Sequence, residues 1–317
     1  MDIVERVLKG DNLALSRVIS MVEGESNGKV SEIMKLINPH IGKAYRIGVT
    51  GPPGAGKSTI VDKLVVVMRR EGLKVGVIAV DPSSPFTGGA LLGDRIRMQQ
   101  HYLDEGVFIR SMATRGSMGG LPQTASSVIK VLDASGKDII LIETVGVGQC
   151  ELDIMKNTDT VLVVLSPESG DTIQTMKAGL YEIADIFVIN KADRPGANNL
   201  IVDIQAMLHL RGEPGSWDIP IVATEAVNNV GIEELYHQIQ RHRQALDGSG
   251  ELLKRRQQQR REEFMKTSER KIIKRLLRSV EQDGQLSRYI GKVIDKVEKG
   301  EIDPYSAADE VLKSMNL

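Results

Sequence analysis

The chain holds a single cysteine, Cys150, few aromatic residues, no long apolar run and almost no net charge. One cysteine excludes an internal disulfide and a cysteine-built metal site. Aromatic residues make up 3% of 317, too few to suggest a stacking platform for single-stranded nucleic acid. Lys and Arg number 41 against 42 Asp and Glu, a formal charge of −1. That balance lacks the basic excess of a duplex nucleic-acid binder. The apolar runs, such as Val161–Leu165, fall far short of the roughly 20 residues that span a bilayer, so no membrane contact is expected. Met1–Arg6 opens an amphipathic, acid-containing stretch instead of a basic segment followed by an apolar one. No secretory leader and a cytoplasmic location are the expectation.

What the chain does have is 31 glycines and a set of short aliphatic runs. With aromatics scarce, the core must come from Val, Ile, Leu, Met and Ala, which suits a parallel sheet buried on both faces. Residues 1–44 read as helices, with a break at Gly10-Asp11-Asn12. From 45 the texture alternates. Strand-like runs fall at Ala44–Thr50, Val75–Val80, Val107–Ser111, Ile139–Ile142, Thr160–Leu165, Ile186–Ile189 and Ile219–Val222. Helical patterns lie between them at Ser58–Arg70, Gly89–Leu103, Gln123–Ser135, Asp171–Ala184, Leu200–Leu210 and Gly231–Leu246. This predicts an α/β domain with a mostly parallel central sheet over 45–248, flanked by helical extensions at 1–44 and 249–317; with the G-x-x-x-x-G-K-S run at Gly51–Ser58 the expected fold is that of a P-loop NTPase. Glu251–Arg275 carries ten Lys/Arg and four Asp/Glu. It reads either as a basic arm that grips a partner or as an exposed helix joined to a helical hairpin. Asp303-Pro304 is expected to start the last helix.

Between the first strand and the next helix lies Gly51-Pro52-Pro53-Gly54-Ala55-Gly56-Lys57-Ser58, a full G-x-x-x-x-G-K-S phosphate loop. Glycines let backbone N–H groups wrap a phosphate, and the helix from Thr59 onward presents its positive end to the same anion. Lys57 supplies charge to the β and γ phosphates, and the Ser58 hydroxyl is placed for Mg²⁺. After the strand Ile186–Ile189 comes Asn190-Lys191-Ala192-Asp193, the guanine-reading pattern. The Asp193 carboxylate can accept from guanine N1–H and the exocyclic amine, which adenine does not offer. The Lys191 stem can lie along the purine, and Asn190 can tie this loop to the phosphate loop. Thr224, Glu225 and Ala226 follow the next strand, where backbone N–H groups can meet guanine O6.

Hydrolysis needs Mg²⁺ and a positioned water, so carboxylates are expected after other strands. Asp81 ends one run, and is either a metal-side group or a cap for the turn at Pro82. Asp94 is either metal-associated or an exposed helix residue paired with Arg95 or Arg97. Glu143 opens Glu143-Thr144-Val145-Gly146, where many GTPases carry Asp in D-x-x-G. Its extra methylene suits contact with the metal through water or a role on the attacking water. Gly146 would offer its N–H to the γ phosphate, and Gln149 either orients that water or is simply solvated. Ser83–Gly93, Arg115–Gln123 and Pro167–Lys177 lie where switch loops belong, and each is either such a switch or a plain surface loop.

Together Val80-Asp81-Pro82-Ser83-Ser84-Pro85, Gly93-Asp94-Arg95, Arg115-Gly116, Glu143 through Gln149 and Asn190 through Asp193 resemble the MeaB/MMAA/ArgK family of P-loop GTPases. The resemblance implies GTP and GDP as ligands, Mg²⁺ dependence, and a chaperone role for an adenosylcobalamin-dependent acyl-CoA mutase such as methylmalonyl-CoA mutase. It extends the partner set to the mutase's adenosyltransferase and implies a homodimer through the C-terminal arm. By position it implies metal or catalytic roles for Asp81, Asp94 and Glu143, and signalling roles for Arg95, Arg115, Asp171 and Lys177. Cys150 stands where the family pattern has Ser, and Pro52 and Pro53 replace any lysine at the start of the phosphate loop. Two other readings remain. A small-molecule kinase or ATPase would need an acceptor pocket that no motif supplies, and a metallochaperone would need a His/Cys cluster that five scattered histidines do not form.

Overall fold

In a computed structural model, residues 2–24, 28–81, 98–114, 121–122, 124–146, 153–168, 180–210, 217–282 and 284–314 are described. Three helices come first, α1 (Asp2–Leu8), α2 (Asn12–Glu23) and α3 (Lys29–Ile37). Then β1 (Tyr45–Thr50), α4 (Lys57–Arg70), β2 (Val75–Asp81), β3 (Val107–Ala113), α5 (Ala125–Ala134), β4 (Ile139–Glu143) and β5 (Thr160–Leu165) follow. After them come α6 (Leu180–Ile183), β6 (Ile186–Asn190), α7 (Ala197–Leu210), β7 (Ile221–Thr224) and α8 (Ile232–Ser249). Three more helices are α9 (Glu251–Gln282), α10 (Gly284–Glu298) and α11 (Pro304–Ser314).

The seven strands form one sheet in the order β3-β2-β4-β1-β5-β6-β7, every pair parallel. β2, β4, β1, β5 and β6 are inner strands, and their aliphatic side chains alternate between two cores, as a period of two requires. Ile47, Val49, Leu141, Leu162, Val164 and Val188 pack with Ile60, Leu64 and Met68 of α4 and Leu235 and Ile239 of α8. Ile140, Ile142, Val161, Val163, Phe187 and Ile189 face the other way, toward Val128 and Leu132 of α5, Leu15 and Ile19 of α2 and Leu200 and Ile204 of α7. The N-terminal helices therefore share the second core. Asp11 caps α2 by accepting from Leu13 N at 2.8 Å and Ala14 N at 3.0 Å. Asp133 at the end of α5 accepts from Lys43 N at 3.1 Å and Ala44 N at 3.0 Å, which pins the entry to β1.

The strand runs appear where the aliphatic pattern places them, with one shift. The expected Ile219–Val222 is found as Ile221–Thr224. Pro220 has no N–H for the ladder, and it contributes only its carbonyl, to Phe187 N at 2.9 Å. Of the expected helix Gly89–Leu103, the described part holds a short 3-10 turn at Gln99–His101. Of Asp171–Ala184, it holds Leu180–Ile183.

Two compact units are delimited, 1–256 and 257–317. The basic run lies in one helix, Glu251–Gln282, that spans the division. Its first two arginines are structural. Arg256 donates to the fully buried Asp159 through Nε at 3.0 Å and NH2 at 2.7 Å, opposite Arg46, which donates from its backbone N at 2.9 Å. Arg255 donates to Asp185 at 3.1 Å, and Asp185 also accepts from Val161 N at 2.9 Å. Burial works against both carboxylates, yet the Arg256 and Arg46 guanidiniums beside Asp159, and His242 with the Arg255 guanidinium beside Asp185, hold both pKa values below the ordinary range. In the second unit, α11 starts at Pro304 as expected, with Asp303 accepting from Tyr305 N and Ser306 N. The Tyr289 hydroxyl of α10 donates to Glu310 of α11 at 2.8 Å.

Candidate nucleotide-binding site

Strand order reverses around β1, whose neighbours are β4 and β5. In open α/β sheets such a reversal leaves a crevice at the carboxyl ends of the strands. The loop 51–56 leaves β1 there and turns into α4. Gly51 has φ 136°, and a Cβ on it would lie 1.9 Å from Val164 O of β5, so only glycine fits this exit. The buried Lys57 folds its ammonium back over the loop, donating to Gly51 O at 2.9 Å and Pro52 O at 3.1 Å. Ala55 is buried, while Pro53 and Gly54 are exposed on the rim. Thr59 is half-buried behind them.

Glu143 stands at the end of β4, in register with Val49 of β1 and Ala79 of β2. It is buried, and its Oε1 accepts from Ser58 Oγ at 2.6 Å. The next residue, Thr144, locks the same corner by donating to Thr50 Oγ1 at 2.8 Å. Gly146 then returns over the phosphate loop with φ 86°. A Cβ there would lie 2.2 Å from Gly51 O and 2.5 Å from Lys57 Nζ. The phosphate loop, Lys57, Ser58, Glu143 and Gly146 thus share one corner. Its donors are hard oxygens, a hydroxyl and a carboxylate, the kind Mg²⁺ takes one or two of alongside phosphate and water. Among the described residues no group of three or more His, Cys, Asp or Glu could hold a metal by itself.

Asn190 ends β6 in register with Thr224 of β7. Its Nδ2 donates to Ala55 O at 2.8 Å, while its Oδ1 accepts from Thr224 Oγ1 at 3.2 Å and Ala226 N at 3.1 Å. One buried amide therefore bolts the phosphate loop to both loops expected around guanine. The Ala226 N–H thus braces Asn190, and the Glu225 N–H closes a bridge to Val230 O at 3.0 Å. Lys191 has a left-handed backbone, φ 57°, and Asp193 is exposed at the loop.

Two contacts at this site carry no motif. Asp62, one turn beyond Ser58 on α4, accepts from Gln100 Nε2 at 2.7 Å and His101 Nε2 at 3.0 Å. Burial opposes its charge, but these donors prevail and keep its pKa low. Glu168, after β5, accepts from Lys191 Nζ at 2.7 Å. Both pairings join residues distant in sequence, so only an acidic residue near a motif could have hinted at them. Asp94, Arg95, Arg115, Gln149, Asp171 and Lys177 lie outside the described residues, and Asp81 is described through its backbone, at the end of β2.

A parallel sheet with a phosphate loop after its first strand and an N-K-x-D loop bolted to it defines the P-loop GTPase class. The model of the methylmalonyl-CoA mutase-associated GTPase MeaB matches residues 15–281, and the chain belongs to that family. A Pyrococcus abyssi protein provisionally named a GTPase is 52% identical over 99% of this chain and 96% of its own length. The Escherichia coli GTPase ArgK is 35% identical over 95% and 92%. The mouse mitochondrial methylmalonic aciduria type A homolog is 32% identical over 97% of this chain and 77% of its own. A crystal structure described as an LAO/AO transport system kinase superposes over 100% of this chain and 97% of its own, with TM-score 0.71 and 28% identity.

Proposed function

We propose that this protein hydrolyses GTP to GDP and phosphate with Mg²⁺, and that its nucleotide state gates adenosylcobalamin loading and protection of a B12-dependent acyl-CoA mutase. The observation that carries the nucleotide reading is Asn190, whose single amide joins the phosphate loop to the N-K-x-D loop. In this reading Lys57 exchanges its two carbonyl acceptors for β and γ phosphate oxygens, and the α4 N-terminus meets the same charge. Ser58 and Glu143 hold the metal side, with Asp81 and Asp94 assigned there by sequence alone. Bound Mg²⁺ would neutralise charge building on the β and γ oxygens. Gly146 brings its backbone against the phosphate loop, where a γ phosphate would be sensed. Glu143 and Gln149 are the candidates for orienting the water that attacks the γ phosphorus as GDP leaves.

The mutase partnership rests on the family's description and on the near full-length match to its members. Arg95, Arg115, Asp171 and Lys177 are proposed to relay nucleotide state to that partner and its adenosyltransferase. A homodimer through the C-terminal helices is proposed as well, supported by Phe264, Met265 and Ile272 lying exposed on α9. The test is co-purification of this protein with an acyl-CoA mutase in the presence of GDP or a non-hydrolysable GTP analogue. Association that differs between the two nucleotides supports the role, and none in either state refutes it.

A further inference from the structure

The last turns of chain after β5 reach across to the guanine loop. Glu168 Oε2 accepts from Lys191 Nζ at 2.7 Å, and its Oε1 pairs with the Arg194 guanidinium. One carboxylate therefore bridges both cations of the loop 191–194. Just before it, Pro167 stands against the end of that loop, 3.6 Å from where a Cβ on Gly196 would be. Lys191 also adopts a positive φ of 57°, which a residue with a side chain keeps only where its surroundings hold it. The Lys191 side chain is 30% exposed and that of Glu168 41%.

A lysine stem has several rotatable bonds, and fixing it on binding opposes affinity. Clamping its ammonium before ligand arrives removes part of that penalty. It also aims the methylenes, because the head is fixed at Glu168 and the backbone at Asn190.

We propose that Glu168 is a positioning residue for guanine nucleotides, clamping Lys191 so that its stem is preset along the purine face. The inference rests on the guanine reading above and adds a residue outside its motifs. Because the clamp acts on stacking and not on base edges, its loss affects GDP and inosine diphosphate alike. Asp193, by contrast, reads the edge: Asp193→Asn offers an amide donor to the xanthine carbonyl that replaces the guanine amine.

Calorimetric titration of the full chain with GDP, inosine diphosphate and xanthosine diphosphate separates these roles. For Glu168→Ala and Glu168→Gln, GDP and inosine diphosphate each bind about fivefold more weakly, the scale an exposed ion pair sets. The melting temperature without nucleotide stays within about 2 °C, since an exposed pair contributes little to folding. GDP affinity that is unchanged within twofold, or tighter, overturns the proposal; tighter binding would mean that Glu168 withholds Lys191 from the base. Asp193→Asn is the independent control. If it shifts preference to xanthosine diphosphate while the Glu168 variants bind normally, the clamp alone fails. If it leaves base preference untouched, the guanine reading fails with it.

Discussion

Lys57 and Asn190 set the site from opposite ends, one as a charge and one as a brace. Replacing Lys57 with Ala would remove the charge-assisted bonds to phosphate proposed for it, worth about 3 kcal/mol by the usual scale of hydrogen bonds to charged groups. GTP affinity measured by titration should fall about 100-fold with little change in fold. Asn190→Ala acts differently. It strands Ala55 O and the Ala226 N–H, both tied to it now, and should lower stability by about 1–3 kcal/mol as well as weaken GDP binding. Urea unfolding and GDP titration read the two effects. Lys137, just before β4, offers a pH test. Its burial, with Lys74 and Arg69 nearby, brings its pKa down to about 8. A lysine whose folded pKa is lowered carries a penalty that is full below that value and is relieved as pH rises toward the unfolded value of about 10.4. Lys137→Met should therefore stabilise the protein by on the order of 2 kcal/mol at pH 7, and the gain should shrink between pH 8 and 10.

At the scale of elements, the join between the sheet and α9 is electrostatic. Arg256 and Arg46 share the buried Asp159, so Arg256→Ala leaves that carboxylate half-matched. A loss of about 3 kcal/mol in urea unfolding is expected. Asp159 has a lowered folded pKa, so its contribution is present above the ordinary carboxylate range and is lost as pH falls below about 4. Removing Arg256 should make acid unfolding begin at a higher pH. This join was not legible in the sequence. Arg255 and Asp185 are 70 residues apart, and Arg256 and Asp159 are 97 apart. The run 251–275 showed only its charge, and two of its arginines turn out to be inward anchors. The strands were legible for the opposite reason, because inner parallel strands are buried on both faces and read as continuous aliphatic runs. The phosphate loop and N-K-x-D loop were equally plain, since each is a contiguous motif between a strand and a helix. Asp62 with His101, and Glu168 with Lys191, depend on folding to meet, and no local pattern announces them.

For the whole molecule, the sheet order puts the phosphate loop between β4 and β5, so the loops after β4, β5 and β6 can all report on one nucleotide. Binding that engages several loops at once should raise thermal stability by mass action: about 2.7 kcal/mol at a nucleotide concentration of 100 Kd, visible as a higher melting temperature with GDP and Mg²⁺ than without. Base-specific hydrolysis at the carboxyl ends of the central strands is read by steady-state phosphate release with GTP and with ATP, each with Mg²⁺. The expected result is turnover of GTP, with kcat/KM for ATP lower by at least about 100-fold, as when buried or fixed polar groups are left unmatched by the wrong base. Equal turnover of the two nucleotides would contradict it.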